Sequence, residues 1–110
     1  MIDWKRVSEL RSEIGAPEFD EVVELFLDEV ECLLDRMRTT PKPELIEEDL
    51  HFLKGCAVNL GFSDFATLCL QGETMSAAGK PESVDLEQVF ASYESSRTVF
   101  LAGVAAGLAA

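Results

Sequence analysis

The sequence predicts an all-α protein: an up-down-up-down four-helix bundle with a short additional helix at the N-terminus. Three observations carry that prediction. Apolar residues recur at spacings of three and four through several stretches of the chain. No segment alternates with the period of two that a half-buried strand requires. The breaks between apolar stretches are short and hold proline, glycine or capping residues, so neighbouring helices are expected to be antiparallel.

Ile2, Val7, Leu10 and Ile14 mark the short first helix. The long helix after it has Phe19, Val22, Val23, Phe26, Leu27, Val30, Leu33, Leu34 and Met37 on one side, with Glu18, Glu21, Glu24, Asp28, Glu31 and Asp35 among the rest. It is entered through Gly15-Ala16-Pro17, where proline suits a first helical turn, and left through Thr39-Thr40-Pro41-Lys42-Pro43. The next helix is predicted from near Pro43 to near Gly61, a residue able to take the left-handed conformation that ends helices, with Ile46, Leu50, Leu53, Ala57 and Leu60 inward. Ser63 is the expected N-cap of a helix with Phe65, Leu68, Cys69, Gly72 and Met75 inward, ending around Gly79-Lys80-Pro81. The last helix begins at Ser83 to Asp85 and buries Leu86, Phe90, Tyr93, Phe100, Leu101 and Val104. Trp4 is expected to anchor the first helix over one end of the bundle; for the last turns of the alanine-rich stretch 102–110, the sequence does not decide between fraying and packing on another chain.

With 110 residues, 47% of them hydrophobic, the chain has enough apolar surface for one core, and residues 1–110 are read as one domain. Acidic residues number 21 against 9 basic, for a net charge of -12. A surface of that sign repels phosphate backbones and anionic lipids, which disfavours nucleic acid and membrane as partners. Cys32, Cys56 and Cys69 are odd in number and widely spaced, so they read as small core residues of a reduced cytoplasmic protein. Residues 1–5 show no export signal, and Val99 to Ala110 falls short of a membrane span. A metal or haem bundle would need paired histidines or inward carboxylates on several helices, and the chain has one histidine.

That histidine is His51, in Leu50-His51-Phe52-Leu53-Lys54-Gly55-Cys56. At roughly 100° per residue, it lies about half a turn of the helical wheel from the inward stripe and points to solvent. Lys54, Gly55 and Val58 share its side, and Phe62 follows if the helix end does not redirect it. Imidazole side chains titrate near ~6.5, so a neutral nucleophilic nitrogen is available at cytoplasmic pH. Lys54 can donate a charge-assisted hydrogen bond to a phosphoryl group. Glycine inside a helix costs about 0.5 to 1 kcal/mol relative to alanine, and close approach by a partner is a physical reason to carry that cost at Gly55. Glu47-Glu48-Asp49 reads as a solvated acidic run, except that Asp49 falls toward the core side, where it needs a partner.

His51-Phe52-Leu53-Lys54-Gly55, with Gly61 six residues beyond the first glycine, resembles the signature of histidine-containing phosphotransfer (HPt) domains. Phe26-Leu27-Asp28-Glu29 and Leu68-Cys69 match further features of that family, so the resemblance spans nearly the whole chain. It implies a bacterial-type phosphorelay protein in which His51 accepts a phosphoryl group from a receiver-domain aspartate and passes it to another receiver. Lys54 would steady the phosphoryl group, and Gly55, Val58 and Phe62 would form the docking face. Some members carry a glutamine on the next helix that hydrogen-bonds the histidine. The aligned residue is Glu73, with Gln71 two positions away; a carboxylate there would orient the ring and favour imidazolium, yet repel phosphate.

The expected partners are response-regulator receivers and a hybrid histidine kinase, with the chain itself a monomer. No cofactor is expected on this chain, the divalent metal being the receiver's. With no nucleotide motif and no room for a kinase domain, the chain reads as a carrier and not an enzyme. The alternative is an HPt-like module that docks a receiver or kinase and regulates it without transferring phosphate.

Overall fold

The computed structural model describes residues 1–108, and these form five α-helices with no strand among them. In chain order they are α1 (Trp4–Ile14), α2 (Ala16–Thr39), α3 (Ile46–Leu60), α4 (Ser63–Ala77) and α5 (Leu86–Ala105). Short 3-10 turns at Pro43–Leu45 and Pro81–Ser83 lead into α3 and toward α5. The last two residues of the alanine-rich C-terminal stretch lie outside the described residues. Among the described residues, no helix is long and apolar enough to cross a membrane.

Helix ends follow local chemistry. Asp3 caps α1 by accepting from the Arg6 N–H at 3.2 Å, and Asp85 caps α5 by accepting from the Gln88 N–H at 3.1 Å. Gly61 ends α3 in the left-handed region, φ 75°, and its N–H bonds back to the Val58 carbonyl. It is also pressed by the N-terminal segment: Asp3 N–H donates to the Gly61 carbonyl at 2.7 Å, and Ser63 N–H donates to the Met1 carbonyl at 3.0 Å. A Cβ at position 61 would lie 2.7 Å from the Asp3 carbonyl oxygen, so both conformation and space require glycine here. This backbone clasp explains why Ser63, expected as a side-chain cap, is instead the first residue of α4, with Phe62 at the cap position and no side-chain cap bond.

The core is the predicted stripe of each helix closed on the others: Phe19, Val23, Leu27, Val30, Leu34 and Met37 from α2, Leu50, Leu53, Ala57 and Leu60 from α3, Phe65 and Cys69 from α4, and Phe90, Tyr93 and Phe100 from α5. Val22, Phe26 and Leu33 flank the α2 stripe half-buried. α3 and α4 share the most extensive packing in the molecule. Gly72 makes it possible, since a Cβ there would come within 2.6 Å of Leu50 Cδ1. Trp4 stacks parallel on Phe100, ring centroids 6.1 Å apart, and so joins α1 to α5.

Some positions depart from expectation. Cys56 and Cys69 are buried, but Cys32 is exposed, on the outer side of α2 between Glu31 and the half-buried Leu33. Met75 and Leu101 were expected inward and are 37% exposed, because the buried arcs of α4 and α5 are narrower than the apolar pattern suggests. Asp49 is 8% exposed and finds its partner in Arg36 of α2, Nη2 to Oδ1 at 2.7 Å.

Candidate functional site

The inward face of α3 leaves His51, Lys54, Gly55 and Val58 on its outer side, and α4 supplies the opposite wall. Leu50 seated against Gly72 sets the register between the two helices, and with it Glu73 stands across from His51. The carboxylate of Glu73 bridges two side chains: His51 Nδ1 lies 2.7 Å from Oε2, and Lys54 Nζ donates to Oε1 at 2.8 Å. One turn of α3 separates the histidine from the lysine, which is the spacing that lets one carboxylate reach both.

Lys54's hydrogen bond is the first cause holding the Glu73 carboxyl below the usual carboxylate range; the contact with His51 acts in the same direction, against partial burial. An ionised carboxylate only accepts, so the hydrogen on this contact belongs to the ring, and Nδ1–H is the donor. In the neutral ring the lone pair then sits on Nε2. The His51 side chain is 69% exposed, against 19% for Glu73 and 27% for Lys54. The arrangement is therefore an open imidazole, oriented through one nitrogen, with a cation beside it and its second nitrogen turned away from the carboxylate. It can act as a nucleophile toward an electrophile delivered from solvent.

A Cβ at Gly55 would meet nothing within 4 Å, so no neighbour among the described residues requires glycine at this position. Its carbonyl accepts from Asn59 Nδ2 at 3.1 Å, and Asn59 Oδ1 accepts from Arg6 of α1 at 3.2 Å. Val58 is 57% exposed on the same side as His51.

Phe62 corrects the sequence reading. It is 1% exposed and packs edge-on against Phe100 at 5.3 Å and beside Tyr93 at 6.2 Å. The left-handed turn at Gly61 swings the chain inward, so Phe62 belongs to the core and offers nothing to a docking partner. Gln71 is exposed two residues before Glu73, and it is Glu73, not Gln71, that hydrogen-bonds the histidine. Sequence reasoning passed over Phe52, 45% exposed beside His51, and Leu70, 49% exposed one turn before Glu73 on α4. The signal for Leu70 lay in the i, i+3 spacing from Glu73, once Glu73 is known to face His51.

A family model described as Hpt domain matches residues 21–103, which span the helix carrying His51 and the helix carrying Glu73. The chain belongs to the Hpt domain family. Hpt domains serve histidine phosphotransfer in phosphorelays and interact there with receiver domains. Neither a curated protein nor a solved structure matches the chain. In this Hpt chain α1 precedes the matched residues, yet Val7 and Leu10 are buried in the common core.

Proposed function

We propose that this chain is a phosphocarrier in which His51 accepts a phosphoryl group from the aspartate of one receiver domain and donates it to another. The observation that carries this is the state of the imidazole: 69% exposed, tied through Nδ1 to Glu73, beside Lys54, in an Hpt chain. In the accepting step the Nε2 lone pair forms the N–P bond in line as the aspartyl P–O bond breaks, and the aspartate leaves as a carboxylate. The receiver contributes the divalent metal ion and most of the stabilisation of the transferring group. Lys54 steadies the phosphoryl oxygens, and Gly55 and Val58 form the floor on which the receiver docks, with Phe52 and Leu70 at its margins.

On this reading the chain binds no cofactor and catalyses no reaction of its own, and it works as a cytoplasmic monomer and one domain. The helices form an up-down-up-down bundle of α2 to α5 with α1 laid across one end. The test is phosphotransfer profiling: the purified chain is incubated with phosphorylated receivers and the label on it characterised. Acid-labile, base-stable label that disappears in His51→Gln is expected. Equal labelling of His51→Gln would refute the assignment, and tight receiver binding without transfer would favour a regulatory docking module instead.

A further inference from the structure

Glu73 stands in an awkward place for a phosphocarrier. A carboxylate beside an incoming phosphoryl group repels it, and yet this one makes the shortest side-chain contact of the site, 2.7 Å to His51 Nδ1. The chemistry of the outward step supplies a reason. When an N–P bond breaks, its electron pair returns to Nε2. If Nδ1 still holds its proton, the ring leaves as neutral imidazole; if that proton has been lost, it must leave as imidazolate, a far stronger base and a far poorer leaving group.

We propose that Glu73 is a positioning residue for transfer out of His51: its carboxylate retains the proton on Nδ1 while the phosphoryl group occupies Nε2, so that the ring departs neutral. This inference rests on the phosphotransfer reading. Phosphorylation on Nε2 with Nδ1–H retained leaves the ring positively charged, and that charge faces a carboxylate at hydrogen-bond distance. Lys54, held by the same carboxylate at 2.8 Å, offsets the repulsion between Glu73 and the phosphoryl oxygens. Elsewhere on α3, Glu47 and Glu48 are exposed one turn before the ring, and on the α2 side Glu29 and the Arg36–Asp49 pair line a hollow with the neighbouring Phe52. On α4 no charged residue other than Glu73 occurs between Asp64 and Lys80. Among the described residues, Glu73 is the carboxylate at hydrogen-bond distance from the ring.

The step balances without a partner protein, so a small phosphodonor can test it. With phosphoramidate, the Nε2 lone pair forms the N–P bond, the donor's P–N bond breaks, ammonia leaves, and the ring takes up the positive charge. On hydrolysis, water forms the new P–O bond and releases a proton, while the electron pair of the N–P bond returns to Nε2.

The parent chain, Glu73→Gln and Glu73→Asp are loaded with phosphoramidate and freed of donor. Loss of the phosphoryl group is then followed by phosphorus NMR from mildly acid to alkaline pH. The ring nitrogens of the single histidine are read by nitrogen NMR on the same samples. In the parent, fast loss and Nδ1 protonation should persist to higher pH than in Glu73→Gln. Above neutrality the variant should lose phosphate about tenfold more slowly, the ratio that one unit of differential protonation gives. Glu73→Asp, which restores the charge, should move the profile back toward the parent. Superimposable pH profiles for parent and Glu73→Gln, in chains of equal thermal stability, would overturn this inference alone. Failure of the parent to load would overturn it together with the phosphotransfer reading.

Discussion

Gly55→Ala separates what a residue does for the fold from what it does for a partner. Position 55 is the tenth of the fifteen residues of α3, well inside the helix. The added methyl group meets no atom within 4 Å, so the substitution brings neither a clash nor a new contact. What is left is the backbone: alanine loses less conformational entropy than glycine on entering a helix, by about 0.5 to 1 kcal/mol. The variant should therefore be more stable than the parent by that amount, which for a chain of this size raises the thermal midpoint by about 2 to 6 °C. Thermal and urea unfolding followed by circular dichroism measure it. A bulkier change, Gly55→Trp, should also fold, since the side chain projects into open space, but it should abolish label uptake from a phosphorylated receiver. A destabilised Gly55→Ala would refute the open-space argument, and full receiver-dependent labelling of Gly55→Trp would refute the docking floor.

Two further outcomes follow from buried titrating groups. Tyr93, the single tyrosine, is buried and donates to Glu31 Oε2 at 2.7 Å; burial first, and the Glu31 contact second, push its phenol well above its ordinary value. The folded state thus favours the protonated phenol, and the resulting stability, present below the ordinary value near ~10, is lost as pH rises beyond it. Phenolate absorbance should appear together with unfolding, and an earlier separate phenolate step would contradict the burial. Cysteine reactivity should divide the same way: burial pushes the Cys69 thiol up to about 12 and raises Cys56 as well, whereas Cys32 is exposed. A thiol reagent should modify one cysteine quickly in the native chain and the other two only on unfolding, with peptide mapping placing the fast site at Cys32.

The helices were legible because their apolar residues repeat with the helical period and their ends carry local signals, as at Pro17 and Gly61. The outer face of α3 was legible for the same reason: once the stripe of Leu50, Leu53, Ala57 and Leu60 faces inward, His51 and Lys54 have only one side left. What the sequence could not carry were contacts set by tertiary register. Whether Glu73 or Gln71 faces the histidine depends on the seating of Gly72 against Leu50, which is a property of two helices together. Asp49 needed Arg36, on another helix, for the same reason. Phe62 was misjudged because helical periodicity was extended past a residue with positive φ, where the angular count no longer applies.

The stacking of Trp4 on Phe100 gives the molecule an internal signal. Trp4 is the single tryptophan, and it lies in a helix that precedes the residues matched by the family model. Phe62, which also touches Phe100, is separated from His51 by nearly the full remaining length of α3, roughly 14 Å at the helical rise. Tryptophan fluorescence therefore reports on the docking of α1 against α5, while the lone imidazole reports on the chemistry further along α3. Two probes native to the sequence can thus tell whether an event at His51 stays local or loosens the packing of α1.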